Sequence, residues 1–190
     1  MEKIFIEDTK FDKKDFSQEN LKAGEYQNCE FNVCNLSNTN LSGFNFIDCR
    51  FINCNLSLIN CTKTTLNTCS FLNCKLLGVR FDTCNKFLMS VKFENCLLNL
   101  SSFFQLNLKK TIFQNSSLHE VDFTETDLTQ AKFTQCDLAY AIFDNTNLEA
   151  ADLSTATNYT IDIEKNNIKK AKFALTEIGG LLTKYNITIV

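Results

Sequence analysis

The sequence contains no proline and no tryptophan, and only five glycines and one histidine among its 190 residues. An all-β chain built from hairpins needs glycine and proline in its tight turns, so this composition disfavours a hairpin sandwich or barrel. Nowhere does an apolar run approach the ~20 residues of a membrane-spanning helix. There is no glycine-rich phosphate loop, no histidine pair and no serine-centred elbow. His119 follows the apolar Leu118, should face outward and has no nucleophile beside it. No catalytic residue, metal or other cofactor is therefore expected. The formal charge of −3 gives no basic footprint for nucleic acid. The opening stretch MEKIFIEDTKF mixes charges with apolar residues and does not read as a signal peptide. A soluble cytoplasmic protein is expected, with neither membrane nor nucleic acid as a direct partner.

Phenylalanine and cysteine are plentiful, at eighteen and ten residues, and both are periodic. In AKFTQCDLAYAIFDNTNLEAADL (131–153) the large residues Phe133, Leu138, Phe143, Leu148 and Leu153 recur every five positions. Two places before each stands a small residue: Ala131, Cys136, Ala141, Thr146 or Ala151. Calling the large residue the centre, the pattern runs from Phe11 to Phe81 and fails at Lys86. It resumes two places out of register at Phe93 and reaches Leu153; Ile163, Ile168 and Phe173 extend it after a lapse at Asn158.

A longer period of twenty lies over the period of five. Cys29, Cys49 and Cys69 follow it, as do Cys34, Cys54 and Cys74, with Cys96 joining once the two-residue slip is added. Phe11, Phe31, Phe51, Phe71, Phe93, Phe113 and Phe133 form a third series, continued by Leu153 and Phe173. Neither a helix, with about 3.6 residues per turn, nor a simple strand, with a period of about 2, gives five. A chain that returns to the same environment every four steps of five is a square coil, each turn pairing with the next at about 4.8 Å. The prediction is an all-β solenoid, a quadrilateral parallel β-helix of about nine coils and roughly 40 Å. Parallel crossovers are nearly always right-handed, so a right-handed coil is expected.

The runs CDLAYAIFDNTNLEAADL and VDFTETDLTQAKF resemble the A(D/N)Lxx signature of pentapeptide repeat proteins, and the resemblance covers nearly the whole chain. It implies the same right-handed quadrilateral β-helix. The tail, NYTIDIEKNNIKKAKF…LLTKYNITIV, resembles that of the Qnr- and MfpA-like group, in which a C-terminal helix and strand make a dimer. That resemblance implies a non-enzymatic DNA mimic that binds and modulates the type II topoisomerases, DNA gyrase and topoisomerase IV, and is linked to resistance to quinolones or gyrase poisons. Long loops like those of some Qnr proteins are absent here, which favours gyrase binding or inhibition over quinolone protection. The alternative is a scaffolding repeat protein with an unrelated protein partner.

Eight cysteines occupy the small inward place (Cys29, Cys34, Cys49, Cys54, Cys69, Cys74, Cys96 and Cys136), and Cys61 is itself a centre. Free cysteine packs as a small hydrophobe, whereas zinc sites cluster their ligands two to four residues apart. The spacing of twenty points to reduced core thiols, with a disulfide between stacked rungs or a metal site as the alternatives. Charge is unevenly distributed: Glu120, Asp122, Glu125, Asp127, Asp137, Asp144, Glu149, Asp152, Asp162 and Glu164 lie in a segment whose one base before Lys165 is Lys132. The first eight of these are the candidate partner-binding band. Folding on four sides should place Asp122, Glu125 and Asp144 on one face and Asp127 and Glu149 on the next. The alternative role of these acids is solubility.

Two segments break the pattern. At CNKFLMSVKF (84–93) Lys86 cannot stay at a core centre, so Phe87 or Leu88 should replace it and the rod should bend or bulge. After Phe173 the residues Leu175, Ile178, Leu181 and Leu182 recur at helical intervals, interrupted by Gly179 and Gly180. YNITIV then alternates as a short strand. The expected division is a repeat domain over 1–173 and a terminal segment over 174–190 that caps the open end or forms a homodimer. The candidate dimer residues are Leu175, Ile178, Leu181, Leu182, Tyr185, Ile187 and Ile189.

Overall fold

In the computed structural model, which describes residues 4–188, the chain winds as a coil of short extended segments. The first are β1 (Ile4–Glu7), β2 (Lys10–Asp12), β3 (Gly24–Gln27) and β4 (Glu30–Asn32). They are followed by β5 (Asn45–Ile47), β6 (Arg50–Ile52), β7 (Thr65–Asn67) and β8 (Cys69–Leu72). Then come β9 (Val91–Glu94), β10 (Ile112–Gln114), β11 (Lys132–Thr134), β12 (Asp152–Leu153) and β13 (Lys172–Phe173).

Side one of the coil is a nine-stranded ladder in the order β2-β4-β6-β8-β9-β10-β11-β12-β13, so the nine rungs enclose eight complete turns. All its pairs are parallel, and the register sets Phe11, Phe31, Phe51, Phe71, Phe93, Phe113 and Phe133 side by side. Side two is marked by parallel bridges from Asp15 through Asn35, Asn55, Lys75, Leu97, Ser117 and Asp137 to Thr157. Side three carries the bridges Asn40 to Asn60 and Arg80 through Ser102 and Asp122 to Ile142. Side four holds the β1-β3-β5-β7 ladder and, beyond the slip, bridges from Asn107 through Asp127 and Asn147 to Asn167. The expected four-sided parallel solenoid is the fold.

Aromatic stacking down the axis follows from the register. Rings in the side-one series lie 4.7–5.4 Å apart from Phe11 to Phe133, with interplanar angles of 4–15°. On side three, Phe81, Phe103, Phe123 and Phe143 form a second stack, 4.7–5.4 Å apart. The two stacks meet edge-on, as where Phe103 and Phe113 cross at 79°. Offset stacks and edge contacts suit the ring quadrupole and add about 0.5–1.5 kcal/mol per pair beyond burial.

Small inward residues do more than fill space. Cys54 Sγ lies 3.2 Å from the Phe31 carbonyl and 3.3 Å from that of Ile52, and Cys34, Cys74 and Cys96 repeat the arrangement. Thr126 and Thr146 hydroxyls donate to the carbonyls of Phe103 and Phe123 in the same way. In return the amides of Cys34 and Cys96 donate to Cys54 Sγ and Ser116 Oγ one rung on. Thiol and hydroxyl thus satisfy backbone groups that the narrow ladder leaves over. All ten cysteines are free and buried, and burial pushes the Cys49 and Cys136 thiols up to about 12. Those two thiols are therefore protonated and poor nucleophiles at neutral pH.

The corners explain how the fold manages with so little glycine. The residue two after nearly every centre has a left-handed backbone, for example Asn28, Asn53, Asn95, Asn115 and Asn145 at φ between 48° and 54°. Asparagine tolerates this region well, and the corners use it repeatedly. Val33, β-branched, adopts it at φ 55°; such a residue is an outlier there.

The slip departs from expectation. Asn85 still caps the Phe87 amide, at 3.1 Å, as the regular repeat requires. The two extra residues are then looped outward, so Phe87 and Leu88 are both exposed and neither replaces Lys86 in the core. Leu88 takes the left-handed corner conformation, φ 61°, which turns its side chain away from the axis. Met89 packs partly against the core instead, and Val91 rejoins the ladder opposite Cys69.

At the C-terminus the lapse at Asn158 is absorbed by its neighbour, since Tyr159 is buried against Phe173 with ring centroids 5.7 Å apart. Leu175–Leu181 forms a 3-10 helix, followed by a second over Thr183–Tyr185. Gly180 packs so closely that an added Cβ would lie 2.0 Å from the Tyr159 carbonyl, and the Gly180 carbonyl accepts from the Ile161 amide. The tail thereby closes the last coil, with Leu181 buried in the core. The strand expected from Tyr185 does not form over the described residues, because Asn186 turns the chain with φ 48°; Ile189 lies outside them.

Candidate protein-interaction surface

Side chains reach the surface at three places in each five: the residue before the centre and the two after it. Before the centre, Asp or Asn is frequent for a local reason. Its Oδ1 accepts the amide of the residue two on, an Asx turn that sets the corner. Asp122 caps Thr124 at 2.9 Å, Asp127 caps Thr129 at 3.1 Å, Asp137 caps Ala139 at 3.1 Å and Asp152 caps Ser154 at 3.1 Å. Half of the eight candidate acids therefore have a structural task that asparagine performs equally well, as at Asn35, Asn55 and Asn147.

The eight acids encircle the rod rather than forming a single face. Asp152 stands on side one, Asp137 on side two, Asp122 and Asp144 on side three, and Asp127 and Glu149 on side four. Glu120 and Glu125 occupy the corners at either edge of side three. Three of them have cationic neighbours, Asp127 with Lys109 at 3.2 Å, Asp144 with Lys165 at 3.8 Å and Asp152 with Lys172 at 3.6 Å, and Asp137 has His119 Nε2 at 2.7 Å. Such solvated pairs contribute about 0–1 kcal/mol each. Among the described residues, Glu120, Asp122, Glu125 and Glu149 form no ion pair. Glu125 accepts a 2.7 Å hydrogen bond from the Gln105 amide. Burial works to raise the Asp137 carboxyl, but hydrogen bonds from Asn158 and His119 hold it below its ordinary value. Asp127 is likewise lowered, Thr129 and Lys109 outweighing burial. Those two carboxylates are fixed in place.

His119 faces outward beside Asp137, while the Ser117 hydroxyl turns away to Asn99 Oδ1 at 2.6 Å. No base meets a nucleophile there. Among the described residues no group of three His, Cys, Asp or Glu gathers as a metal site, and no helix is long and apolar enough to cross a membrane.

A model of the pentapeptide repeat region matches residues 44–123, and one of pentapeptide repeats in eight copies matches 116–154, so together they span more than half of the chain. The chain belongs to the pentapeptide repeat proteins. Its fold is similar to that of trypsin-treated QnrB1, described as a plasmid-mediated fluoroquinolone resistance protein: TM-score 0.63, 16% identity, 99% of this chain and 98% of that one covered. It is also similar to HetL, a pentapeptide repeat protein involved in heterocyst differentiation regulation in the cyanobacterium Nostoc: TM-score 0.52, 15% identity, 89% and 85% covered. No curated protein sequence matches it significantly.

In this pentapeptide repeat protein the tail residues divide. Leu181 is buried and Leu182 partly so, whereas Leu175, Ile178, Tyr185 and Ile187 are exposed. Lys184 reaches Asp162 at 2.7 Å and Glu164 at 2.6 Å, and the Tyr185 hydroxyl donates to Glu164 at 2.8 Å, which clamps the tail onto the last coil. Sequence reasoning passed over a further set of exposed apolar side chains at the corner between sides two and three: Leu58, Leu100 and Tyr140. Their signal is readable once the period is known, because each stands two after a centre, where asparagine or glycine suits the backbone better.

Proposed function

We propose that this pentapeptide repeat protein is a non-enzymatic DNA mimic that binds a type II topoisomerase, DNA gyrase or topoisomerase IV, and modulates it. The observation that carries the reading is the set of carboxylates without ion pairs among the described residues, Glu120, Asp122, Glu125 and Glu149, on a parallel coil. At about 4.8 Å per rung the nine rungs make a rod of about 40 Å. A negative rod of that length fits a groove that otherwise holds DNA, and its potential steers association. The likeness of fold to a fluoroquinolone resistance protein supports the same direction, and resistance to a quinolone or gyrase poison would follow from such binding. The protein acts in the cytoplasm on this reading, as a dimer joined through its tails.

Inhibition of supercoiling by purified gyrase tests the proposal. The parent chain should inhibit in a concentration-dependent way, and the combined variant Glu120→Gln, Asp122→Asn, Glu125→Gln, Glu149→Gln should inhibit at least tenfold less. Amides preserve the Asx turn at Asp122, so the fold is kept. No inhibition and no binding by the parent chain would refute the reading. A scaffolding role with another protein partner is the second reading. It is favoured by HetL, which has this fold and a regulatory role, and fold alone does not choose a partner.

A further inference from the structure

One corner of the rod carries large apolar side chains that stay mostly exposed. Between sides two and three the residues Leu58, Gly78, Leu100 and Glu120 are stacked by successive hydrogen bonds. Each amide donates to the carbonyl just before the next corner residue: Leu58 to Leu77, Gly78 to Asn99, Leu100 to His119 and Glu120 to Ala139. Tyr140 is the next member after Glu120. Leu58, Leu100 and Tyr140 have left-handed backbones, with φ 57°, 63° and 59°. They are also 61%, 60% and 83% exposed. Large apolar side chains are thus held in a left-handed conformation that asparagine tolerates better, and they stay mostly exposed. Ile142, 51% exposed, extends the patch onto side three beside Asp122.

We infer that this corner is the docking seam for a lysine- and arginine-rich protein surface, with Leu100, Tyr140 and Ile142 as apolar anchors. The knobs recur every second rung, about 10 Å apart at about 4.8 Å per rung. Glu120 stands between Leu100 and Tyr140, and Asp122 beside Ile142; neither is engaged in an ion pair among the described residues. Apolar anchors interleaved with carboxylates that form no ion pair among the described residues match a surface that presents basic side chains around apolar sockets. Anchors of this kind, and not the rim charges, dominate interface energetics, while the charges set the approach and the choice of partner. The inference rests on the proposed topoisomerase reading and names the side of the rod that would meet the enzyme.

Purified gyrase holoenzyme is the probe, with affinity measured for the labelled parent chain and for Leu100→Asn, Tyr140→Asn and the double variant. Asparagine suits the left-handed corner, so thermal midpoints should be unchanged or raised. The double variant should bind at least tenfold more weakly. Phe87→Asn, at the outward loop on side four, should bind within twofold of the parent. Parent-like affinity of the double variant would overturn the seam and leave the topoisomerase reading standing. No binding by the parent would overturn both. A lowered midpoint in the Asn variants would show that the knobs serve the fold, and would also overturn the seam.

Discussion

Two buried serines should respond in opposite directions to the same substitution. Ser101 lies in a column with Val79 and Val121; the Ser102 amide donates to the Val79 carbonyl, and the Asp122 amide to the Ser101 carbonyl, between rungs. It is almost completely buried, and its Oγ has no hydrogen-bond partner among the described residues. Ser116 is equally buried, but its Oγ donates to the Gln114 carbonyl at 2.8 Å and accepts the Cys96 amide at 3.0 Å. Leaving a buried hydroxyl unsatisfied costs about 1–3 kcal/mol, whereas removing one that is paired forfeits its bonds and strands its partners at a similar cost. Subtracting a few tenths for the lost contacts of one oxygen, Ser101→Ala should stabilise by about 1–2 kcal/mol. Ser116→Ala should destabilise by about 1–3 kcal/mol. Guanidinium unfolding followed by far-UV circular dichroism reads both, provided the slope stays constant so that midpoint shifts report stability. Destabilisation by Ser101→Ala would mean that its hydroxyl has a partner after all. Equal behaviour of the two variants would refute the reasoning that inward polar residues are kept for the backbone groups they satisfy.

The pH response of the core and the assembly of the tail are also measurable. Because burial raises Cys49 and Cys136 to about 12 in the folded state, their stabilising effect is complete below the unfolded thiol value of about 8.5 and is lost as pH rises towards about 12. The denaturation midpoint should therefore fall above about pH 9, and less steeply in Cys49→Ala/Cys136→Ala; a flat profile to pH 11 would contradict buried neutral thiols. The tail proposal expects light scattering at twice the mass of one chain, reduced to one by Ile187→Asp. A parent chain that stays monomeric at 100 µM would remove the dimer and leave the tail as a cap.

Much of the molecule was legible from its periods. The spacing of five placed Phe133 and Leu138 inward, and the spacing of twenty put Phe93 over Phe71, because every rung of a solenoid meets the same neighbours as the last. The cysteine series was readable as core for the same reason. Even the distribution of the acids over the sides followed from counting. The same counting failed where the chain left its period. Phe87 and Leu88 are strongly apolar and composition draws them inward, yet a two-residue insertion in a tight ladder is accommodated most readily by looping out. The tail wound as 3-10 turns because Gly180 had to sit against the Tyr159 carbonyl, a contact no local pattern announces.

What the sequence determined by itself is the coil: which residues point to the axis, which turn the corners and how far apart the rungs stand. Tertiary structure alone decided which surface groups are engaged. Asp137 is occupied because His119 lies across from it on the preceding rung, whereas Glu120 forms no ion pair among the described residues. It also decided that Ser101 lacks a partner while Ser116 has two. The reason is physical. Inward packing repeats with the period, so one rung predicts the next, but hydrogen bonds and ion pairs depend on the particular side chain stacked above or below, and that identity does not repeat.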